Sequence, residues 1–99
     1  MRVFNLSTLK AYWSTPGRED SRGSLAAWFK ETKAAKWESP ADVKARYATA
    51  SFVGNDRIVF NICGNKYRLI VRVAFRGGAV FIRFIGTHQE YDQVDASTV

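Results

Sequence analysis

The sequence has almost none of the residues that build disulfides and metal sites. Cys63 is its only cysteine and His88 is its only histidine, so an internal disulfide is impossible. A structural zinc site takes about four ligands, mostly cysteine and histidine, and we therefore expect no metal site and no cofactor. So few cysteines are also typical of a protein in reducing surroundings, which predicts a cytoplasmic location.

Long hydrophobic stretches are absent as well. No apolar run approaches the roughly 18 residues that cross a bilayer, and the segment Met1–Asn5 lacks the apolar core of a signal peptide. We expect no membrane partner. The chain contains no internal repeat and no low-complexity linker, so its 99 residues are expected to form one domain, residues 1–99.

The sequence does contain an excess of positive charge and enough apolar material for a core. It has 15 lysines and arginines against 9 acidic residues, a net charge of +6, and 46% of its residues are hydrophobic. The apolar content predicts a folded globular protein. The positive charge attracts anions and favours a nucleic acid or an acidic protein as the partner.

Helical spacing dominates the first half of the chain, up to about Thr49. Ser7 can cap a first helix, which ends at residues 15–17 because proline and glycine break helices. Ser39 can cap a third helix, with Pro40 in its first turn, where no N–H is needed. The second helix, between these two, shows apolar residues at spacing i, i+3, i+4, i+7, namely Leu25, Trp28, Phe29 and Thr32.

Alternation and β-branched residues predict a strand meander in the second half. Two glycine-containing dipeptides, Gly64-Asn65 and Gly77-Gly78, have the chemistry of two-residue hairpin loops. They separate strands at residues 57–63, 66–76 and 79–87, and residues 2–5 can form a further short strand. The predicted fold class is α+β, with N-terminal helices packed on one face of a small antiparallel β-meander and a short C-terminal helix.

The two loops also predict which side chains share a face of the sheet. With two residues in each loop, polar side chains form two rows across the strands, Arg57–Arg72–Arg83 and Asn61–Arg68–Thr87. Val59, Ile70 and Ile85 lie between these rows. The other face is apolar and is expected to pack on the helices; it carries Ile58, Phe60, Ile62, Tyr67, Leu69, Val71, Val73, Phe75, Val80, Ile82 and Phe84.

A row of arginines across neighbouring strands indicates an anionic ligand. Like charges directly opposite one another repel, and a bound polyanion removes this conflict. In the alternative interpretation, the arginine stems only shield the apolar residues between the rows while their charged ends reach water. The candidate RNA-binding residues are Arg57, Asn61, Lys66, Arg72 and Arg83.

The second half of the chain contains two distinctive segments, RIVFNICGNKYRLIVRV, residues 57–73, and IRFIGTHQEYD, residues 82–92. Both resemble the HigB family of bacterial toxins. The segments MRVFNLSTLKAYW and AKWESPADVKARY are similar to the same family. The resemblance implies a RelE-like fold and an mRNA interferase that cleaves mRNA, usually on the ribosome, without a metal. It also implies a partner, an antitoxin of the HigA type with a helix-turn-helix fold.

Metal-free RNA cleavage needs a base for the 2′-hydroxyl, cations for the charged phosphorane and an acid for the leaving 5′-oxygen. The candidate catalytic residues are Arg68 for the phosphate, His88 for proton transfer, Glu90 and Tyr91. Each of the last three also has a structural interpretation. His88 faces the core if the strand continues that far, Glu90 forms a capping box with Thr87, and Tyr91 packs its ring under the sheet.

The leading functional hypothesis is an endoribonuclease toxin, an enzyme that arrests translation by cutting mRNA. The alternative is an RNA- or phosphate-binding module that uses the same arginines without catalysis. A third hypothesis is a protein-interaction domain whose basic face recognises an acidic partner.

Overall fold

A computed structural model describes all residues from Met1 to Val99. It contains five strands and four α-helices, which in chain order are β1 Arg2–Phe4, α1 Leu6–Trp13, α2 Arg22–Ala34, α3 Pro40–Arg46, β2 Ser51–Gly54, β3 Arg57–Ile62, β4 Tyr67–Ala74, β5 Ala79–Thr87 and α4 His88–Tyr91. A single 3₁₀ turn, Glu19–Ser21, precedes α2. None of the helices combines the length and the hydrophobicity needed to cross a bilayer.

The strands form one mixed sheet in the order β1-β5-β4-β3-β2. Strands β2 to β5 are antiparallel neighbours, whereas β1 pairs with β5 in parallel. The α+β class is confirmed, but the prediction of a purely antiparallel meander is wrong at β1, and strand β2 was not predicted. Parallel neighbours cannot be joined by a tight turn, and here three helices and strands β2 to β4 lie between β1 and β5 in the chain.

The register of the first hairpin agrees with the prediction. Arg57 lies opposite Arg72 and Asn61 opposite Arg68. The second hairpin differs, because Ala74 already pairs with Ala79 and the loop therefore contains residues 75–78 instead of two glycines.

A bulge in β5 adds a second change of register. The pairing with β4 shifts between Ile70 and Val71, and Arg83 is the extra residue. The predicted pairs of Arg72 with Arg83 and of Arg68 with Thr87 are therefore wrong. Arg72 lies opposite Phe81, and Arg68 lies opposite Gly86.

The bulge also exchanges the faces of two apolar residues. One extra residue reverses the alternation of side chains beyond it. Ile85, predicted on the arginine side, belongs to the core cluster, whereas Phe84, predicted in the core, pairs with Ile70 on the opposite face. The remaining residues predicted for the apolar face are buried in the core or packed against it.

The core lies between the sheet and the helices and is rich in aromatic contacts. Phe60 on β3 is its centre, with ring centroids 5.5 Å from Trp28, 6.3 Å from Trp37 and 5.1 Å from Tyr47. Trp28, on the apolar side predicted for the second helix, is buried, and so is Trp37 in the connection between α2 and α3. This packing assigns one face of the sheet to the helices and leaves the arginines on the other.

Gly86 provides a test of the bulged strand. A Cβ atom at this position would lie 2.6 Å from Cζ of Phe84 and 3.0 Å from Cβ of Glu90. We predict that Gly86→Ala lowers the free energy of unfolding by about 1 kcal/mol, because the half-buried Phe84 ring and Cβ of Glu90 both have to move. Denaturation in urea measures the change.

The matched control is Gly23→Ala, at an exposed position near the start of α2 with no atom within 4 Å of the added Cβ. Alanine favours the helix by up to about 1 kcal/mol, so this variant should be as stable as the parent or more stable. Equal stabilities of the two variants would contradict the packing described for β5.

Candidate functional site

Four arginines, here called the arginine face, lie on the side of the sheet opposite the helices. They are Arg57, Arg68, Arg72 and Arg83. No Asp or Glu side chain approaches any of their guanidinium nitrogens within 4.0 Å, since the ion pairs of the protein involve other cations. Arg57 and Arg72 are direct cross-strand partners, so two like charges stand opposite each other with no acidic side chain between them.

Ser97 and Val99 contact residues of the arginine face and its edge through main-chain oxygens. The main-chain oxygen of Val99 accepts hydrogen bonds from Nη2 of Arg57 at 3.0 Å and from Nε of Arg83 at 3.2 Å. The main-chain oxygen of Ser97 accepts one from Nδ2 of Asn55 at 2.9 Å. These contacts satisfy donors of Arg57, Arg83 and Asn55 within the protein.

The apolar residues between the arginine rows are buried although they lie outside the core cluster. Val59 is 4% exposed and Ile70 is 0% exposed. Their burial agrees with the alternative interpretation, in which the apolar residues between the rows are shielded from water on this face of the sheet. The sequence pattern did not indicate that Val99 reaches the arginines, because it lies 42 residues from Arg57 and 16 from Arg83 in the chain.

Three of the four candidate catalytic residues lie together at one end of the arginine face. Cζ of Arg68 is 6.0 Å from the centroid of the Tyr91 ring, and the Tyr91 and His88 ring centroids are 6.5 Å apart. Nη1 of Arg68 donates a hydrogen bond to the carbonyl of Asn65 at 3.1 Å. Gly86 lies opposite Arg68 and, as a glycine, has no side chain that could cover the arginine.

His88 is exposed and does not face the core. The strand ends at Thr87 and α4 begins at His88, so the strand alternation that would have turned His88 inward no longer applies. Nδ1 of His88 lies 3.3 Å from a carboxylate oxygen of Asp92, one helical turn later. A carboxylate in this position can orient the imidazole.

Glu90 is held by structural contacts. Its Oε1 accepts hydrogen bonds from the backbone N–H of Thr87 at 2.8 Å and from the hydroxyl of Tyr12 at 3.0 Å, while Oγ1 of Thr87 accepts from the N–H of Glu90 at 3.2 Å. This is the predicted capping box. The hydrogen bond from Thr87 lowers the pKa of Glu90, so this carboxylate is a weak proton acceptor at neutral pH.

Tyr12 and Arg18 were not identified from the sequence. Burial, reinforced by the Glu90 carboxylate, raises the pKa of Tyr12 to about 12, so its hydroxyl stays protonated and donates to Glu90. Arg18 lies beside the same pair, with Nη2 3.9 Å from the Glu90 carboxylate. No sequence signal links these residues, because α1, the following loop and α4 meet only in the tertiary structure.

The structure separates Lys66 from the other candidate RNA-binding residues. Its ammonium group pairs with the carboxylate of Asp20 in the 3₁₀ turn, and the hydroxyl of Tyr67 donates to the same carboxylate. The hydrogen bonds from Lys66 and Tyr67 lower the pKa of Asp20. Asn61, by contrast, lies beside Arg68 as its cross-strand partner and forms no side-chain hydrogen bond within the protein.

The chain contains no group of three or more His, Cys, Asp and Glu side chains placed to hold a metal ion. A protein-family model described as HigB_toxin, the RelE-like toxic component of a toxin–antitoxin system, matches residues 21–94. The match covers α2 to α4 and strands β2 to β5. It therefore includes the arginine face and the end of that face where Arg68, His88 and Tyr91 lie together. No curated protein matches the chain.

The role of Glu90 as a cap predicts how stability depends on pH. Its pKa lies below the ordinary value of 4.5 in the folded protein, so it stabilises the fold above pH 4.5, and this contribution disappears as the pH falls through the lowered pKa. Glu90→Gln keeps a capping amide but cannot ionise. We predict that the parent is more stable than Glu90→Gln at pH 7 and that the difference shrinks below pH 4.5.

Chemical denaturation from pH 7 to pH 3 measures this difference. Glu19→Gln is the control, because Glu19 precedes α2 and its side chain forms no ion pair. A difference between parent and Glu90→Gln that stays constant over the whole pH range would contradict the assigned contacts.

Proposed function

Since the chain belongs to the HigB family, RelE-like toxic components of toxin–antitoxin systems, we propose that it is an mRNA interferase. In this proposal it binds mRNA, usually on the ribosome, and cleaves it by acid/base chemistry that needs no metal, which arrests translation. Membership of the family also means that the protein has an antitoxin as its partner. We propose that this antitoxin is of the HigA type, with a helix-turn-helix fold.

The observation that carries the proposal is the absence of acidic side chains beside the arginine face. Four guanidinium groups share one surface, and no acidic side chain lies within ion-pair distance of them. A phosphate backbone removes the repulsion between Arg57 and Arg72 and accepts hydrogen bonds in the fork geometry of arginine. Arg57 and Arg83 can transfer their hydrogen bonds from the main-chain oxygen of Val99 to phosphate oxygens.

The end of this face that carries Arg68 supports cleavage. In the proposed mechanism, Arg68 stabilises the negative charge of the phosphorane, and His88 serves one of the two proton transfers, from the 2′-hydroxyl or to the 5′-oxygen. Asp92 orients the imidazole, and Tyr91 stacks on a base next to the cleaved bond. Glu90, whose hydrogen bonds are directed to Thr87 and Tyr12, holds α4 in place and is a positioning residue.

We predict that Arg68→Ala and His88→Ala each reduce mRNA cleavage by at least about 100-fold, because each removes a group that acts on the transition state. The measurement is mapping of mRNA 5′ ends in a cell-free translation reaction, together with growth after induction. Arg76→Ala is the matched control, since Arg76 is an exposed arginine in the β4–β5 loop. It loses the same charge and should retain cleavage and growth arrest.

The same measurements distinguish the proposed nuclease from the alternative function. An RNA- or phosphate-binding module predicts no new mRNA ends with the parent protein and a graded loss of RNA affinity in the arginine variants. Equal cleavage by the parent, Arg68→Ala and His88→Ala would refute the assignment of these two residues.

A further inference from the structure

Two stacked phenylalanine rings on the sheet are not explained by the core. Phe4 on β1 and Phe81 on β5 are partners in the sheet, with ring centroids 5.0 Å apart and ring planes 15° from parallel. Neither residue belongs to the core cluster, and Phe4 is 39% exposed. Phe81 pairs with Arg72, so both rings lie on the side of the sheet that carries the arginine face.

An arginine lies at each end of this aromatic pair. Cζ of Arg2 is 5.6 Å from the centroid of the Phe4 ring, and Cζ of Arg72 is 5.8 Å from the centroid of the Phe81 ring. Arg2, Phe4, Phe81 and Arg72 form a continuous line across β1, β5 and β4, here called the Arg–Phe row. Neither of the two arginines has a carboxylate within 4.0 Å.

We propose that the Arg–Phe row is a stacking platform for the bases of single-stranded RNA. The inference rests on the RNA-binding part of the proposed function and assigns a second subsite to it. Unpaired bases stack on aromatic rings and on guanidinium planes, and arginines bind the phosphates between the bases. The row offers both kinds of surface side by side.

The charge of the row favours RNA over a peptide. An apolar peptide segment gains contact with the phenylalanine rings, but it leaves Arg2 and Arg72 without a counter-charge. A single strand of RNA supplies bases for the rings and phosphates for the guanidinium groups along the same backbone. An acidic polypeptide supplies the counter-charge but has no row of flat surfaces to stack.

The position of the row fits an RNA strand that also reaches the proposed cleavage end. Arg72 and Arg68 lie on the same strand, β4, with three residues between them. At roughly 3.3 Å per residue, their Cα atoms are about 13 Å apart, a distance that a few nucleotides can span. The platform therefore holds nucleotides that flank the cleaved bond, and its stacking contributes to substrate affinity.

The test compares two phenylalanines with the same exposure. Phe4 and Phe52 are both 39% exposed, but Phe52 is paired with Ile58, whose side chain belongs to the core cluster, and so it lies on the other side of the sheet. The probe is a fluorescein-labelled oligoribonucleotide with 2′-O-methyl groups, which cannot be cleaved. Fluorescence anisotropy gives its affinity for the parent, Phe4→Leu, Phe52→Leu and Phe4→Tyr.

We expect Phe4→Leu to weaken binding about fivefold or more, because loss of stacking on one base costs roughly 1 kcal/mol or more. Phe52→Leu should bind like the parent, and Phe4→Tyr should retain most of the affinity because it keeps the ring. An oligomer of equal length and charge without bases should bind the parent more weakly than the complete RNA, and this comparison does not depend on the folding of any variant.

Three results would overturn the platform. The first is that Phe4→Leu binds the RNA with the same affinity as the parent. The second is that the parent binds the complete and the base-free oligomers equally well. The third is that polyglutamate displaces the RNA as effectively as unlabelled RNA does. The last result identifies a docking surface for an acidic protein. None of them affects mRNA cleavage by the parent, whereas base-dependent binding without any cleavage would support the platform and refute the proposed nuclease.

Discussion

Strand β4 has to bury one of its faces completely while it carries two arginines on the other. Tyr67, Leu69 and Val71 are 0% exposed, and Arg68 and Arg72 alternate with them. Helices that cover the apolar side therefore leave the arginines on the opposite side. A helix packed on that side would have to remove guanidinium groups from water without acidic partners, at a cost of several kcal/mol per ion. This constraint explains why all three long helices belong to one side of the sheet.

The second face of the sheet carries its arginines without acidic side chains beside them. Arg57 and Arg83 donate hydrogen bonds to the main-chain oxygen of Val99. A polyanion is the ligand that gains most from this arrangement, because it satisfies the donors and also removes the repulsion between neighbouring arginines.

The short helix α4 connects the stability of the fold to the proposed chemistry. A helix of four residues is not stable alone. The capping box of Thr87 and Glu90, together with the hydroxyl of Tyr12 from α1, holds it at the end of β5. His88 and Tyr91 are carried on this turn, so their position beside Arg68 depends on contacts made by the first helix of the chain.

The sequence by itself determined the features that depend on neighbouring residues. The Gly64-Asn65 turn was enough to predict the pairing of Arg57 with Arg72, and the spacing of Thr87 and Glu90 was enough to predict the capping box, because both are governed by local backbone geometry. Only the tertiary structure decided the parallel pairing of β1, the bulge at Arg83, the ion pair of Lys66 with Asp20 and the hydrogen bonds of Val99 with Arg57 and Arg83. These features join segments far apart in the chain, and their free energy depends on how all the elements pack together, which no local pattern of residues records.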